Sequence, residues 1–212
     1  LLEFLASTKK PIIVSTGSST YDEIDFCVNF LKEHGCSEII LLQCTSKYPC
    51  SIESLNLSVI PKMKSKYNLP IGFSDHSTDP IIAPLVSIGL GATVIEKHFT
   101  IDKNLPGPDH SFALTPDELK QMIDSIRNAE SAYGPGKKEI LQEELETRKF
   151  AKRSLQAITD ISKGDILELG LNFDILRPGD RIRGLDARFL FNINGKKSKL
   201  DIAKGDGINE SE

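Results

Sequence analysis

The chain has 212 residues, of which 39% are hydrophobic and 26% are charged, an ordinary globular composition. Its 26 basic and 30 acidic residues give a formal net charge of -4, so neither nucleic acid nor an anionic membrane surface is an expected partner. No apolar run approaches the roughly 20 residues that span a bilayer, no signal-peptide pattern opens the chain, and the four cysteines form no CxxC pair, so we expect a soluble, cytoplasmic protein.

Four short apolar runs that end in small or polar residues are typical of buried parallel strands. They are residues 10–17, 38–46, 69–76 and 92–100. Helical patterns lie between them, and the clearest begins at a capping box of Thr20 and Glu23 and ends before Gly35. A weaker helix is expected over residues 51–66. This repeat of strand and helix predicts a parallel sheet with helices outside it.

Four strand–helix units amount to half of an eightfold TIM (β/α)8 barrel, and the opening LLEFLAST has the pattern of a helix end. We therefore expect the first half of that barrel to precede these residues. After Gly134 the sequence becomes charged, and short β-like runs then alternate with turn sequences such as SKGD and RPGD. The predicted organisation is a half barrel over residues 1–134, a linker over 135–152 and a small β-rich domain over 153–212.

Histidines stand at the ends of two neighbouring predicted strands. Functional sites of α/β folds lie at the carboxyl ends of strands, and residues two apart on a strand share a face, so Ser74 and His76 point the same way. His98 ends the next strand, which would let the two histidines bind one divalent metal ion. A pair of hydrogen-bonded structural histidines is the alternative, and the residues alone leave both open.

Hydroxyl groups recur at the same predicted edge. Ser15, Ser46 and Ser74 follow or end successive strands, a pattern that suits binding of a phosphate or a carboxylate. Serine and threonine are also common in tight turns, which leaves a purely structural explanation open. Asp109 lies in a Pro-Gly-Pro loop, a rigid segment that would present its carboxylate.

Five motifs in order and spacing resemble those of the sialic acid (N-acetylneuraminate) synthase family, which includes legionaminate and pseudaminate synthases. They are KPIIVSTG, LLQCTSKYP, IGFSDHST, GATVIEKHFTIDKNLPGPDHSF and LRPGD. The resemblance covers nearly the whole chain. It implies the C-terminal half of a TIM barrel followed by a small SAF (antifreeze-like, β-clip) domain.

The resemblance also implies an activity, that of a phosphoenolpyruvate-dependent transferase. Such an enzyme condenses phosphoenolpyruvate with N-acetylmannosamine to give N-acetylneuraminate and phosphate, and it uses Mn²⁺, or alternatively Mg²⁺ or Co²⁺. His76 and His98 match the metal ligands, Asp109 the carboxylate beside the reacting carbonyl, and Tyr48 a further contact to the sugar. These matches imply that His76, His98 and Asp109 take part in catalysis.

Further roles follow from the same resemblance. Ser15, Ser46 and Ser74 match positions that contact phosphoenolpyruvate. Arg177 matches an arginine that the SAF domain reaches into the barrel of a partner subunit, which implies a homodimer. Because the family's first half barrel holds other essential residues, these 212 residues alone are expected to be inactive.

Two alternatives to N-acetylneuraminate synthesis remain at this point. The first is an N,N'-diacetyllegionaminate synthase that acts on a diacetylated dideoxy sugar, because substrate choice depends on a few pocket contacts. The second is a non-catalytic module for sugar binding or assembly.

Overall fold

The computed structural model of the protein describes residues 1–209, which divide into two compact units, the first ending at Gly136 and the second beginning at Lys137. Each unit has a hydrophobic core of its own. Within residues 1–209, every helix is too short or too polar to serve as a membrane span.

The first unit alternates strands and helices. Its elements are α1 (Leu2–Ser7), β1 (Ile12–Ser15), α2 (Tyr21–Glu33), β2 (Ile39–Cys44), α3 (Val59–Tyr67), β3 (Ile71–Asp75), α4 (Ile82–Gly89), β4 (Ile95–Lys97) and α5 (Pro116–Tyr133). The strands form one parallel sheet in the order β1-β2-β3-β4, so each strand pairs with the next one along the chain. The predicted α/β class is therefore confirmed.

The two faces of the sheet have different neighbours. Ile71 and Phe73 of β3 are fully buried and belong to the core that the sheet forms with the helices. Ser74 occupies the alternate position, so it lies on the opposite face of the sheet. His76 follows in the same alternation. In β3 the helix-facing side thus carries the packing, whereas Ser74 and then His76 lie on the other side.

Helices α2 and α5 both begin at capping boxes. The Thr20 hydroxyl accepts from the Glu23 backbone N–H and the Glu23 carboxylate accepts from the Thr20 backbone N–H, and Thr115 and Glu118 repeat this arrangement. Two otherwise unpaired backbone donors are satisfied at each helix start. The predicted start of α2 at this motif is confirmed.

The weak helix predicted over residues 51–66 is wrong in its first half. Residues Ile52–Ser54 form a single 3-10 turn, and α3 begins only at Val59. Asn56 lies between them with a φ of 47°, a left-handed conformation that a right-handed helix cannot include.

The second unit is smaller and mixed. Its elements are α6 (Glu144–Ala151), β5 (Ser154–Ala157), β6 (Phe173–Leu176) and α7 (Leu190–Ile193). Strands β5 and β6 are antiparallel, and several isolated bridges link the surrounding loops. Helix α6 lies within the segment 135–152 that the sequence analysis treats as a linker.

Candidate functional site

Two histidines lie side by side at one edge of the parallel sheet. His76 follows the last residue of β3, and His98 follows the last residue of β4. Asp75 pairs with Lys97 in the strand register, so the next residues along both strands come together. The ring centroids of the histidines are 5.3 Å apart and the ring planes make an angle of 73°. Both imidazoles can therefore contribute to one site.

His76 is anchored through one ring nitrogen and through its backbone. Its Nδ1 lies 3.0 Å from the carbonyl oxygen of Thr45 and 3.8 Å from Cys44 Sγ, and only 5% of the residue is exposed. Its carbonyl accepts a hydrogen bond from the Cys50 N–H. Burial raises the pKa of the nearby Cys50 thiol, which favours its protonated form. The tautomer that donates from Nδ1 to Thr45 leaves a lone pair on Nε2.

His98 is paired with the loop carboxylate that the sequence analysis singles out. Its Nδ1 lies 3.6 Å from Asp109 Oδ2, and the Asp109 side chain is more than half exposed. The His98 carbonyl accepts from the Leu114 N–H at 2.9 Å, which ties the end of β4 to the segment before α5. His98 and Asp109 border a small cavity of about 280 Å³.

Aromatic rings line the two histidines. The Tyr48 ring centroid is 4.1 Å from that of His76 and 5.9 Å from that of His98, although the residue is half exposed. Phe112 is buried, with its ring centroid 5.0 Å from that of His98. The sequence does not predict the contact between Phe112 and His98, because no pattern in SFALTP (residues 111–116) indicates that an aromatic side chain packs against a strand end.

Ser74 and Glu96 form a cross-strand link on the face that leads to the histidines. The Ser74 hydroxyl donates to Glu96 Oε1 at 2.7 Å, and the two residues are register partners in β3 and β4. Sequence reasoning missed Glu96. The signal was present, because Glu96 and His98 are two residues apart, the same spacing that placed Ser74 with His76.

Ser15 and Ser46 lie at the ends of β1 and β2 and are exposed. Their loops touch, since a Cβ added to Gly17 would collide with Ser46 Oγ. The buried Thr16 hydroxyl already donates to the Leu42 carbonyl at 2.7 Å. Ser46 borders a cleft of about 560 Å³ whose lining does not include the histidines. This cleft and the histidine pair are thus separate features of this edge.

Arg177 belongs to the second unit. It directly follows β6 and is exposed. The turn beyond it is held by a hydrogen bond from the Gly179 N–H to the Phe150 carbonyl at 3.2 Å. The structure thus presents the Arg177 guanidinium on the surface of that unit.

The donor groups at the histidines limit what could be bound there. In residues 1–209, no group of three or more His, Cys, Asp or Glu side chains is arranged to hold a metal ion. Each imidazole nevertheless has one nitrogen near an oxygen, Thr45 O for His76 and Asp109 Oδ2 for His98. The hydrogen bond to Thr45 fixes the tautomer and ring orientation of His76, as such bonds do for metal-bound histidines, and Asp109 lies near His98 without a hydrogen bond of that length. The residues fit an ion with two protein ligands and other positions open.

Comparison with known proteins assigns this first unit to a family. A sequence profile described as the NeuB family matches residues 1–138, more than half of the chain. The chain belongs to the NeuB family. The resemblance to the synthases is therefore confirmed at the level of the family, and the matched part of this NeuB chain includes both histidines.

The relatives of this NeuB chain include named synthases. Pseudaminic acid synthase of Campylobacter jejuni is 43% identical over 211 residues, covering 100% of this chain and 60% of that protein. N,N'-diacetyllegionaminic acid synthase of Legionella pneumophila is 36% identical over 208 residues, covering 96% of this chain and 57% of that protein. This chain therefore spans about three fifths of the length of such relatives.

A solved structure shares the fold. The spore coat polysaccharide biosynthesis protein of Bacillus subtilis is 39% identical with a TM-score of 0.61, covering 98% of this chain and 62% of that one. The parallel sheet of the first unit is the curled half barrel of such structures. The predicted half barrel is confirmed.

Proposed function

We propose that the protein is a nonulosonic acid synthase, a transferase that condenses phosphoenolpyruvate with N-acetylmannosamine to give N-acetylneuraminate and phosphate. The observation that carries the proposal is the pair of imidazoles at adjacent strand ends, with a carboxylate 3.6 Å from one of them. Membership of the NeuB family supports it, because relatives of this chain are named as synthases of pseudaminic and legionaminic acids.

A diacetylated dideoxy sugar is the alternative substrate. A relative that is 36% identical is named for a diacetylated product, N,N'-diacetyllegionaminic acid. The two sugars differ in substituents that a few pocket contacts would distinguish. The proposed chemistry at the aldehyde is the same for both.

The ion that we propose for the site is Mn²⁺, with Mg²⁺ or Co²⁺ as alternatives. His76 and His98 would hold it through the ring nitrogens that Thr45 and Asp109 do not face. When bound, it supplies Lewis-acid polarisation of the sugar aldehyde. Asp109 would position that aldehyde, and the Tyr48 ring would contact the sugar beside His76.

The serines would bind phosphoenolpyruvate. Ser15 and Ser46 are exposed at neighbouring strand ends, where a phosphate or carboxylate could reach their hydroxyls. Ser74 differs, because its hydroxyl proton is already committed to Glu96. Ser74 would therefore accept a hydrogen bond from a ligand group, or donate to it only after leaving Glu96.

For the rest of the chain we propose the organisation that the family resemblance implies. Residues 1–134 would be the synthase half barrel, 135–152 a linker and 153–212 an SAF domain. In a cytoplasmic homodimer, the SAF domain would reach the partner's barrel and Arg177 would recognise the N-acetyl group. The antiparallel β5–β6 pair and the exposed Arg177 side chain support this part of the proposal.

The deciding experiment measures phosphate release by the longest natural form of the protein that contains these residues. It is supplied with phosphoenolpyruvate, Mn²⁺ and either N-acetylmannosamine or the diacetylated dideoxy sugar. His98→Ala is the test variant. His34→Ala is its matched control, because His34 is an exposed histidine that stacks on Phe30 at the end of α2, far along the chain from the site.

Release with one sugar, lost in His98→Ala and kept in His34→Ala, would support the synthase and identify its substrate. Absence of release with either sugar from a folded protein would contradict it. That result would favour the non-catalytic sugar-binding or assembly module.

A further inference from the structure

A buried ion pair joins the two strands directly beside the histidines. Lys97 Nζ lies 2.7 Å from Asp75 Oδ2, and the two side chains are 4% and 0% exposed. Asp75 and Lys97 are register partners, and they alternate with the residues of the site. They therefore lie on the face of the sheet opposite Ser74 and Glu96. Nothing in the proposed chemistry uses this pair.

The Lys97 side chain forms hydrogen bonds with the residues on either side of His76, Asp75 and Ser77. Besides Asp75, its Nζ donates to the Ser77 carbonyl and to Ser77 Oγ, the latter at 3.3 Å. The other oxygen of Asp75, Oδ1, accepts from the Ser77 N–H at 2.7 Å. The residue before His76 and the residue after it are thus tied to the residue that precedes His98. The Lys97 ammonium group thus connects the strand end that carries His98 with the segment that carries His76.

A second link lies on the other face of the sheet at the preceding register position, where Ser74 donates to Glu96. The Ser74–Glu96 and Asp75–Lys97 links thus join the ends of β3 and β4 on opposite faces of the sheet, just before the histidines. Links on both faces resist twisting of one strand end against the other. Both links are contacts within the protein itself, directly before the two residues that carry the imidazoles.

Stability alone does not explain why charged residues occupy these positions. An apolar pair of similar volume is often as stable as a buried ion pair, because burial removes the hydration of both charges. What the charges add here is directional bonding, since the three donors of Lys97 meet three acceptors on two residues.

We propose that Asp75 and Lys97 are positioning residues that hold His76 and His98 at the separation needed to share a ligand. The part of this inference that concerns metal affinity rests on the proposed divalent-metal site. Partners that orient metal-binding histidines typically contribute about 10- to 100-fold in metal affinity.

The test compares three variants in the protein used for the activity assay. Lys97→Met removes all the Nζ bonds while keeping a long side chain, and Asp75→Asn is a milder change that keeps an acceptor for Ser77. Lys66→Met is the matched control, because it breaks the exposed Lys66–Asp25 ion pair between α3 and α2. Two readouts are taken well below each melting temperature. They are the nuclear Overhauser contacts between the His76 and His98 rings without metal, and the affinity for Mn²⁺ by calorimetry.

The expected result is loss of the ring contacts and about 10- to 100-fold weaker Mn²⁺ binding in Lys97→Met, a smaller change in Asp75→Asn, and neither change in Lys66→Met. If Lys97→Met fails to fold, Asp75→Asn decides by the same readouts. Ring contacts and Mn²⁺ affinity that match the wild type in a folded site variant would overturn the inference. Loss of ring contacts in a protein whose wild type binds no Mn²⁺ would uphold the positioning role and overturn the proposed metal site instead.

Discussion

At the scale of single residues, the site combines groups with very different surroundings. His76 is almost fully buried, whereas the side chains of Asp109 and Tyr48 are half exposed. Burial restricts the orientation of His76, whereas the Asp109 carboxylate is accessible from solvent and contributes little to packing. We therefore expect substitutions at Asp109 to affect activity far more than stability.

Replacing the Asp109 carboxylate is expected to separate function from folding. Asp109→Asn should lower phosphate release by about 100-fold or more, because it removes the negative charge that we propose to lie beside the reacting carbonyl. The melting temperature should match that of the wild type. Asp124→Asn, which breaks an exposed Lys120–Asp124 pair on α5, serves as the control and should keep full activity. Equal activity of Asp109→Asn and wild type would exclude Asp109 from catalysis.

At the scale of elements, α5 starts at a capping box reinforced by an ion pair. Glu118 Oε1 lies 2.8 Å from Lys103 Nζ, and Glu118 Oε2 accepts from the Thr115 backbone N–H at 2.9 Å. The bond to Lys103 and then the backbone bond from Thr115 lower the pKa of Glu118 below its ordinary value of 4.5. The charged form of Glu118 is thus favoured by the folded state.

The start of α5 should therefore show a defined pH dependence. Since the folded pKa of Glu118 is lowered, its contribution is present above the ordinary pKa and is lost as the pH falls through the folded value. Urea unfolding from about pH 6 to about pH 3 should show the stability difference between wild type and Glu118→Gln shrinking toward acid. A difference that stays constant over this range would contradict the assignment.

Thr115→Ala should lower the free energy of unfolding by about 1 kcal/mol at neutral pH, because the cap of α5 is lost.

Close packing within the sheet gives a second prediction at the scale of elements. A Cβ at Gly72 of β3 would lie 2.5 Å from the Val94 carbonyl oxygen and would also meet the Leu42 side chain. Gly72→Ala should lower the free energy of unfolding by about 1–3 kcal/mol, because the backbone must shift. Gly89→Ala in α4 is the control, since its added Cβ meets nothing within 4 Å. Chemical denaturation of both variants checks the difference, and an equal response would show that the sheet accommodates the methyl group.

At the scale of the whole molecule, the described chain consists of two units joined by exposed residues. All residues from 131 to 150 are exposed, and residues 136–141 form no helix or strand. Neither unit relies on this segment for its core, because the buried clusters lie before residue 131 and after residue 152.

Limited proteolysis should cut this segment first. Trypsin needs an extended, accessible chain, and Lys137 and Lys138 provide two exposed cleavage positions there. Brief digestion followed by mass spectrometry should give first cuts between residues 137 and 149. Replacing both lysines with glutamine should delay them. First cuts within residues 1–130 would indicate that the first unit is less compact than described.

Local patterns in the sequence determined the alternation of strands and helices, the capping box at Thr20, and the placement of His76 and His98 at strand ends. These features depend on residues a few positions apart, so composition and periodicity report them directly. The break before α3 was missed because asparagine permits the left-handed backbone of Asn56 but does not require it.

Only the tertiary structure decided which groups meet across the sheet. The Asp75–Lys97 and Ser74–Glu96 links each join residues 22 positions apart, and they exist only because β3 and β4 pair in one register. A register shift by one residue would move each side chain to the opposite face. The approach of Tyr48 and Phe112 to the histidines depends on loop paths in the same way. Period-two alternation assigned each residue to a face, whereas register and loop conformation chose its partner.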